Sequence, residues 1–243
     1  MAIFSLEGFL FLLRWFHFLA GITWIGMLYY FNFVQTPFFA TELGGQARSQ
    51  VVRGLVPNAL WWFRWGAMFT FLTGWTIILT KFGTAPEGTH GDLFASTYMT
   101  SILTGGLMGT LMWANVWFVI WPSQQIVIAN AVTVAGGGQA NPAAAPAGAR
   151  SGLASRTNTL LSIPMLFFMG SASHFTGLMS GLANLGGHLG IYWLAVLVII
   201  GAVEYNALAG KTDQKLAKPP VGTVIHAGLG LTVVLWLTAT ILL

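Results

Sequence analysis

Six apolar runs, each close to the length a bilayer demands, recur along this chain and leave it few other folds. They fall at about 9–34, 58–80, 96–121, 158–180, 188–209 and 222–243. A helix needs about 20 apolar residues to cross the hydrocarbon core. Composition points the same way: 56% of residues are hydrophobic and 7% charged, where soluble domains carry roughly 25% charged. The expectation is an all-α integral membrane protein: one domain over residues 1–243, built as a bundle of about six transmembrane helices in the lipid bilayer. The first run is too long for the apolar core of a signal peptide and is read as a retained helix.

The loops orient the bundle. Arg48, Arg53, Arg150, Arg156, Lys211, Lys215 and Lys218 fall on the side of the 1–2, 3–4 and 5–6 connections. The other side has Lys81, and Arg14 if it is counted. Cationic loops stay in the cytoplasm, so both termini are expected on the outer, periplasmic side of a bacterial inner membrane, with Glu7, Glu87, His90 and Asp92. Trp61, Trp62, Trp113, Trp117 and Trp121 sit near helix ends, where an interfacial aromatic belt lies. The Gly/Ala/Pro-rich stretch at about 135–150 is expected to be a flexible cytoplasmic loop, and 122–135 to continue as an interfacial helix. Arg156 is expected at the start of the fourth helix, snorkelling to headgroups. Pro164 is expected to kink that helix and free a carbonyl.

Several function classes drop out. The net charge of +4 is too dispersed for a nucleic-acid footprint. With no cysteine, disulfides, thiolate metal sites and covalently attached haem c are impossible within these residues. No nucleophile elbow, phosphate loop or zinc-protease motif is present.

Histidines inside apolar runs are the chemistry-bearing feature, because ionisable groups in a membrane are costly. Counted at about 1.5 Å per residue, His17 lies about 6 Å outward of Gly21. His174 lies about 6 Å outward of Gly170 by the same count. Matching depth on antiparallel helices is what two axial ligands of one haem b need. Gly21, Gly170 and Gly177 lie three or four residues from these histidines, hence on the same faces, where a flat macrocycle could lie close. Arg14, one turn outward from His17, could pair with a propionate. Plain helix packing by small residues is the competing reading. His188 is placed at the interface.

A second cluster lies toward the cytoplasm: Arg64, Asn115, Glu204, Asn206 and His226. Arg64 and Glu204 are natural partners, and Gly222 and Gly230 flank His226. The cluster reads either as a small polar cavity for a quinone, a proton or a polar substrate, with Arg64, Glu204, His226 and Asn115 as catalytic candidates, or as a structural ion pair.

Two stretches carry a family resemblance. They are Arg14-Trp-Phe-His17-Phe-Leu-Ala-Gly21-Ile-Thr-Trp24-Ile-Gly26, and Ala154-Ser-Arg-Thr-Asn-Thr-Leu-Leu-Ser-Ile-Pro164-Met-Leu-Phe-Phe-Met169 followed by Ser173-His174-Phe175. Both resemble the membrane-embedded N-terminal domain of the bacterial cytochrome-c-linked urate oxidase (urate hydroxylase) family. The His17-x6-Trp24-x-Gly26 pattern is also similar, over that short stretch, to a small haem-binding membrane oxidase related to protoporphyrinogen oxidation. The first resemblance implies oxidoreductase chemistry in the membrane, with electrons leaving to an outer cytochrome c-type acceptor and a purine such as urate as a possible reductant. Relatives of that family carry a C-terminal cytochrome c domain. This chain stops at Leu243 without one, which implies a separate carrier or a larger membrane complex. The expected activity is therefore electron transfer through haem b. The alternatives are a non-catalytic accessory subunit of a respiratory or oxidase complex, and a transporter or proton path through the inner polar cluster.

Overall fold

The computed structural model describes residues 2–175, 188–209 and 215–243. Among them the regular structure is helical. α1 runs over Leu6–Tyr29 and continues through a π-helical segment, Tyr30–Gln35, to Phe39. α2 is Glu42–Gly54, α3 is Val56–Gly83 and α4 is the short His90–Ala95. α5 runs over Thr97–Ala114, through a second π-helical segment at Asn115–Ile120, to Ala135. α6 is Ala144–His174, α7 is Leu189–Ala209 and α8 is Val221–Leu242. Four of these are long and apolar enough to cross a membrane: Leu6–Phe39, Thr97–Ala135, Leu189–Leu208 and Val221–Leu242. α3 and α6 are long enough too. Arg64 and Lys81 in α3, and the hydroxyl-rich, Arg-bearing first half of α6, lower their mean hydropathy.

Two sequence expectations are corrected. The Gly/Ala/Pro-rich stretch is loop only as far as Ala143, and α6 begins at Ala144. Alanine is the strongest helix former, Pro146 falls in the first turn, where its missing N–H costs no bond, and the Asn141 side chain accepts from the Ala143 backbone N–H at 2.9 Å to turn the chain. Arg156 therefore lies inside α6 rather than at its start. The connection between the first two runs is also helical. Thr41 caps α2 by accepting from Gly44 N–H at 3.0 Å, and a Cβ on Gly44 would run into the Phe38 carbonyl. The expected end of the fourth run, with Gly177, and Lys211 lie outside the described residues.

The described chain forms two compact units. The first comprises residues up to Trp75 together with Trp113–Thr159. Here α1 and α3 run antiparallel at close range. A Cβ on Gly66 would stand 3.0 Å from the Trp24 backbone nitrogen and 3.3 Å from the Ala20 carbonyl. Further along, Gly21 faces Thr70 and His17 faces Gly74. Lipid supplies no hydrophobic drive between helices, so close backbone approach through small residues is what holds such a pair. Trp24, Leu28, Phe63 and Ala67 are buried around it.

Polar side chains tie the rest of this unit. Asn32, in the first π-helical segment, donates to the Leu28 carbonyl at 2.9 Å and to Ser155 Oγ at 2.8 Å. Asn115, which opens the second, donates to Asn158 Oδ1 at 3.0 Å. Gln124 donates to Ser151 Oγ at 2.7 Å. Ser151, Ser155 and Asn158 recur at three or four residues, so α6 presents one polar face here.

The second unit comprises Thr76–Met112 and the residues from Leu160 onward. Pro164 removes the N–H that would bond the Leu160 carbonyl. That freed oxygen is met by α8: a Cβ on Gly228 would lie 2.8 Å from it, so only glycine, with hydrogen in that place, fits. Gly105 of α5 sits likewise against Met165 and Met169. Tyr192 of α7 is fully buried, its hydroxyl 2.7 Å from that of Thr104. Lys215 donates to the carbonyls of Asn206 and Ala207 at 2.7 and 2.8 Å, a cationic cap on the C-terminal end of α7.

Candidate functional site

His17 is held by α3. Its Nδ1 lies 3.1 Å from Thr73 Oγ1. Thr73 has one hydroxyl hydrogen, and the carbonyls of Phe69 and Thr70 lie 2.6 and 3.2 Å from its oxygen. Toward the imidazole Thr73 is therefore an acceptor. With its own hydrogen on a carbonyl, Thr73 offers the ring an acceptor, an arrangement that suits a proton on Nδ1 and a lone pair on Nε2.

The glycine against the ring is Gly74. A Cβ there would stand 3.0 Å from His17 Cε1 and 3.4 Å from Nδ1. Gly21, singled out from spacing along α1, faces Thr70 at ordinary contact distance instead. Spacing within one helix finds residues on one face but not the surface that face meets. The usable signal is the Thr73-Gly74 step in an apolar helix, together with the antiparallel alignment set by Gly66 and Trp24.

Arg14 is exposed on α1 one turn from His17. His174, the last residue of α6, is exposed in the second unit, as are Gly170 and Phe175. His188 is exposed just before α7, and His226 on α8. His90 is exposed at the start of α4. Among the described residues no three His, Asp or Glu side chains gather as they would around a bare metal ion. The donor set available is imidazole, which suits haem iron.

Arg64 is caged by three indoles of its own unit, its guanidinium carbon 3.9 Å from the ring centre of Trp121, 5.1 Å from Trp117 and 5.7 Å from Trp65. Such cation–π contacts offset the cost of carrying a guanidinium into an apolar setting. The buried Arg64 Nε and Trp117 Nε1 have no hydrogen-bond acceptor among the described residues. Asn115 is committed to Asn158. Asn206 accepts from the Leu216 N–H at 2.9 Å. Glu204 is half-buried on α7.

A family model described as urate oxidase N-terminal matches residues 89–238. The match includes Asn115, His174, Glu204 and His226, and begins after His17 and Arg64. No curated protein and no solved structure matches the chain.

Proposed function

The chain belongs to the urate oxidase N-terminal family, and from that premise we propose that it is a haem b electron-transfer protein of the bacterial inner membrane. His17 and His174 are the axial ligands in this reading, with Arg14 at a propionate and Gly170 and Gly177 lining the ligand face of His174. The observation that carries it is the His17 imidazole, its Nδ1 3.1 Å from Thr73 Oγ1 on α3, because an axial histidine binds iron through one nitrogen and is oriented by the bond at the other. When bound, haem b supplies a one-electron iron couple within the apolar layer.

The bundle has six spans, with α3 and α6 joining the four most apolar helices. α3 earns its place by its close antiparallel packing on α1, and the caged Arg64 by lying in the first turns of α3, near the cytoplasmic headgroups. Both termini face outward by the distribution of cationic loops. Electrons pass to a cytochrome c-type acceptor at that outer face, in another protein or domain, since these residues contain no cysteine to attach a haem c. The family description supports urate, or a related purine, as the reductant in this reading.

The test is a reduced-minus-oxidised absorption spectrum of the detergent-purified chain, with His17→Ala and His174→Ala beside it. A b-type spectrum in the wild type, lost in both variants while their helical circular dichroism is unchanged, is the expected result. A well-folded wild type without that spectrum refutes the reading.

A further inference from the structure

We propose that Thr73 and Gly74 are positioning residues: Thr73 fixes His17 as the Nδ1-protonated tautomer, and Gly74 provides the seat for the ring, so that Nε2 alone is presented for ligation. The inference rests on the haem reading for its purpose, but the tautomer can be measured without haem. It follows from a count of hydrogens. Thr73 Oγ1 lies 2.6 Å from the Phe69 carbonyl and 3.1 Å from His17 Nδ1. The hydroxyl hydrogen is taken up by the carbonyls of Phe69 and Thr70, at 2.6 and 3.2 Å, which leaves the imidazole as donor to Oγ1. Were the tautomer reversed, the hydroxyl would have to turn away from both carbonyls to donate to Nδ1.

Gly74 completes the arrangement sterically. A Cβ at position 74 would stand 3.0 Å from Cε1 and 3.4 Å from Nδ1, so any other residue would press on the ring and shift it by a few tenths of an ångström. The two act on adjacent features of one imidazole: one at the nitrogen, the other at the carbon beside it. A hydrogen bond donated from Nδ1 also makes an axial imidazole a more electron-rich ligand, which favours the oxidised iron and lowers its reduction potential.

The experiment pairs two readouts on Thr73→Val, Thr73→Ser and Gly74→Ala. The first is ¹⁵N NMR of histidine-labelled, haem-free chain, with the His17 signal assigned through His17→Ala. Wild type and Thr73→Ser should show Nδ1–H, while Thr73→Val and Gly74→Ala should show a mixed tautomer. The second is a potentiometric titration of the haem-loaded protein. Thr73→Val should raise the potential, and Thr73→Ser should restore it. A wild-type Nε2–H signal, or a Thr73→Val variant matching the wild type in tautomer and in potential, overturns the proposal. A wild type that binds no haem refutes the function proposed above while the NMR readout still decides the role of Thr73.

Discussion

The side-chain amide of Asn115 donates to Oδ1 of Asn158 at 3.0 Å, with both residues buried. The bond joins the start of the π-helical segment of α5 to the polar face of α6. Breaking it strands a polar group away from water, which costs about 1–3 kcal/mol. Asn115→Ala and Asn158→Ala should each lower thermal stability in detergent. The double variant should cost clearly less than the sum of the two, because residues that share one bond do not act additively.

Two glycines on α8 should behave oppositely. A Cβ on Gly228 would meet the Leu160 carbonyl at 2.8 Å and Ile163 Cδ1 at 2.6 Å. Gly228→Ala must therefore displace α8 from α6, at a cost of about 1–3 kcal/mol. Gly230 has nothing within 4 Å of a built Cβ, so Gly230→Ala should be neutral or stabilise the helix slightly. Denaturation of the two variants side by side checks this, and equal destabilisation would contradict the packing described.

The cage around Arg64 predicts a graded series at Trp121, the nearest ring at 3.9 Å. Trp121→Leu should destabilise more than Trp121→Phe, since phenylalanine retains a weaker π face. The loss should be on the order of 1 kcal/mol, the scale of one partly desolvated cation–π contact. In an Arg64→Met background the difference between Leu and Phe should shrink. Melting temperatures of the four proteins provide the measurement.

Lys215 closes the C-terminal end of α7 through the carbonyls of Asn206 and Ala207. Lys215→Met keeps much of the stem but removes the donors. Amide hydrogen exchange over the last turn of α7 should accelerate, with residues near Tyr192 unaffected. Unchanged exchange in that turn would show that the lysine contributes nothing to the cap.

Several site features were legible in the residues themselves. His17 stands out as a titratable group in an apolar run, and Pro164 announces a freed carbonyl because a missing N–H is a property of the residue. Gly228 does not announce that it receives that carbonyl, nor Gly74 that it seats His17. Each looks like any other glycine in an apolar helix until its neighbour is known. Arg64 shows the same gap. Its charge demands compensation, and within its unit three indoles on two helices supply it, the partners Trp117 and Trp121 far from it along the chain.

Sequence alone therefore determined the helical class, the membrane-compatible length of the apolar runs, the family, and which few ionisable groups need explaining. The family follows from the motifs around His17 and His174, and the rest from composition and local periodicity, which each segment carries by itself. The tertiary structure decided which glycine meets which carbonyl, which hydroxyl orients the imidazole of His17, and that Asn115 and Asn158 satisfy each other. These depend on how antiparallel helices align, and that alignment is set by close packing between segments distant in the chain, where a shift of a single residue would exchange every partner.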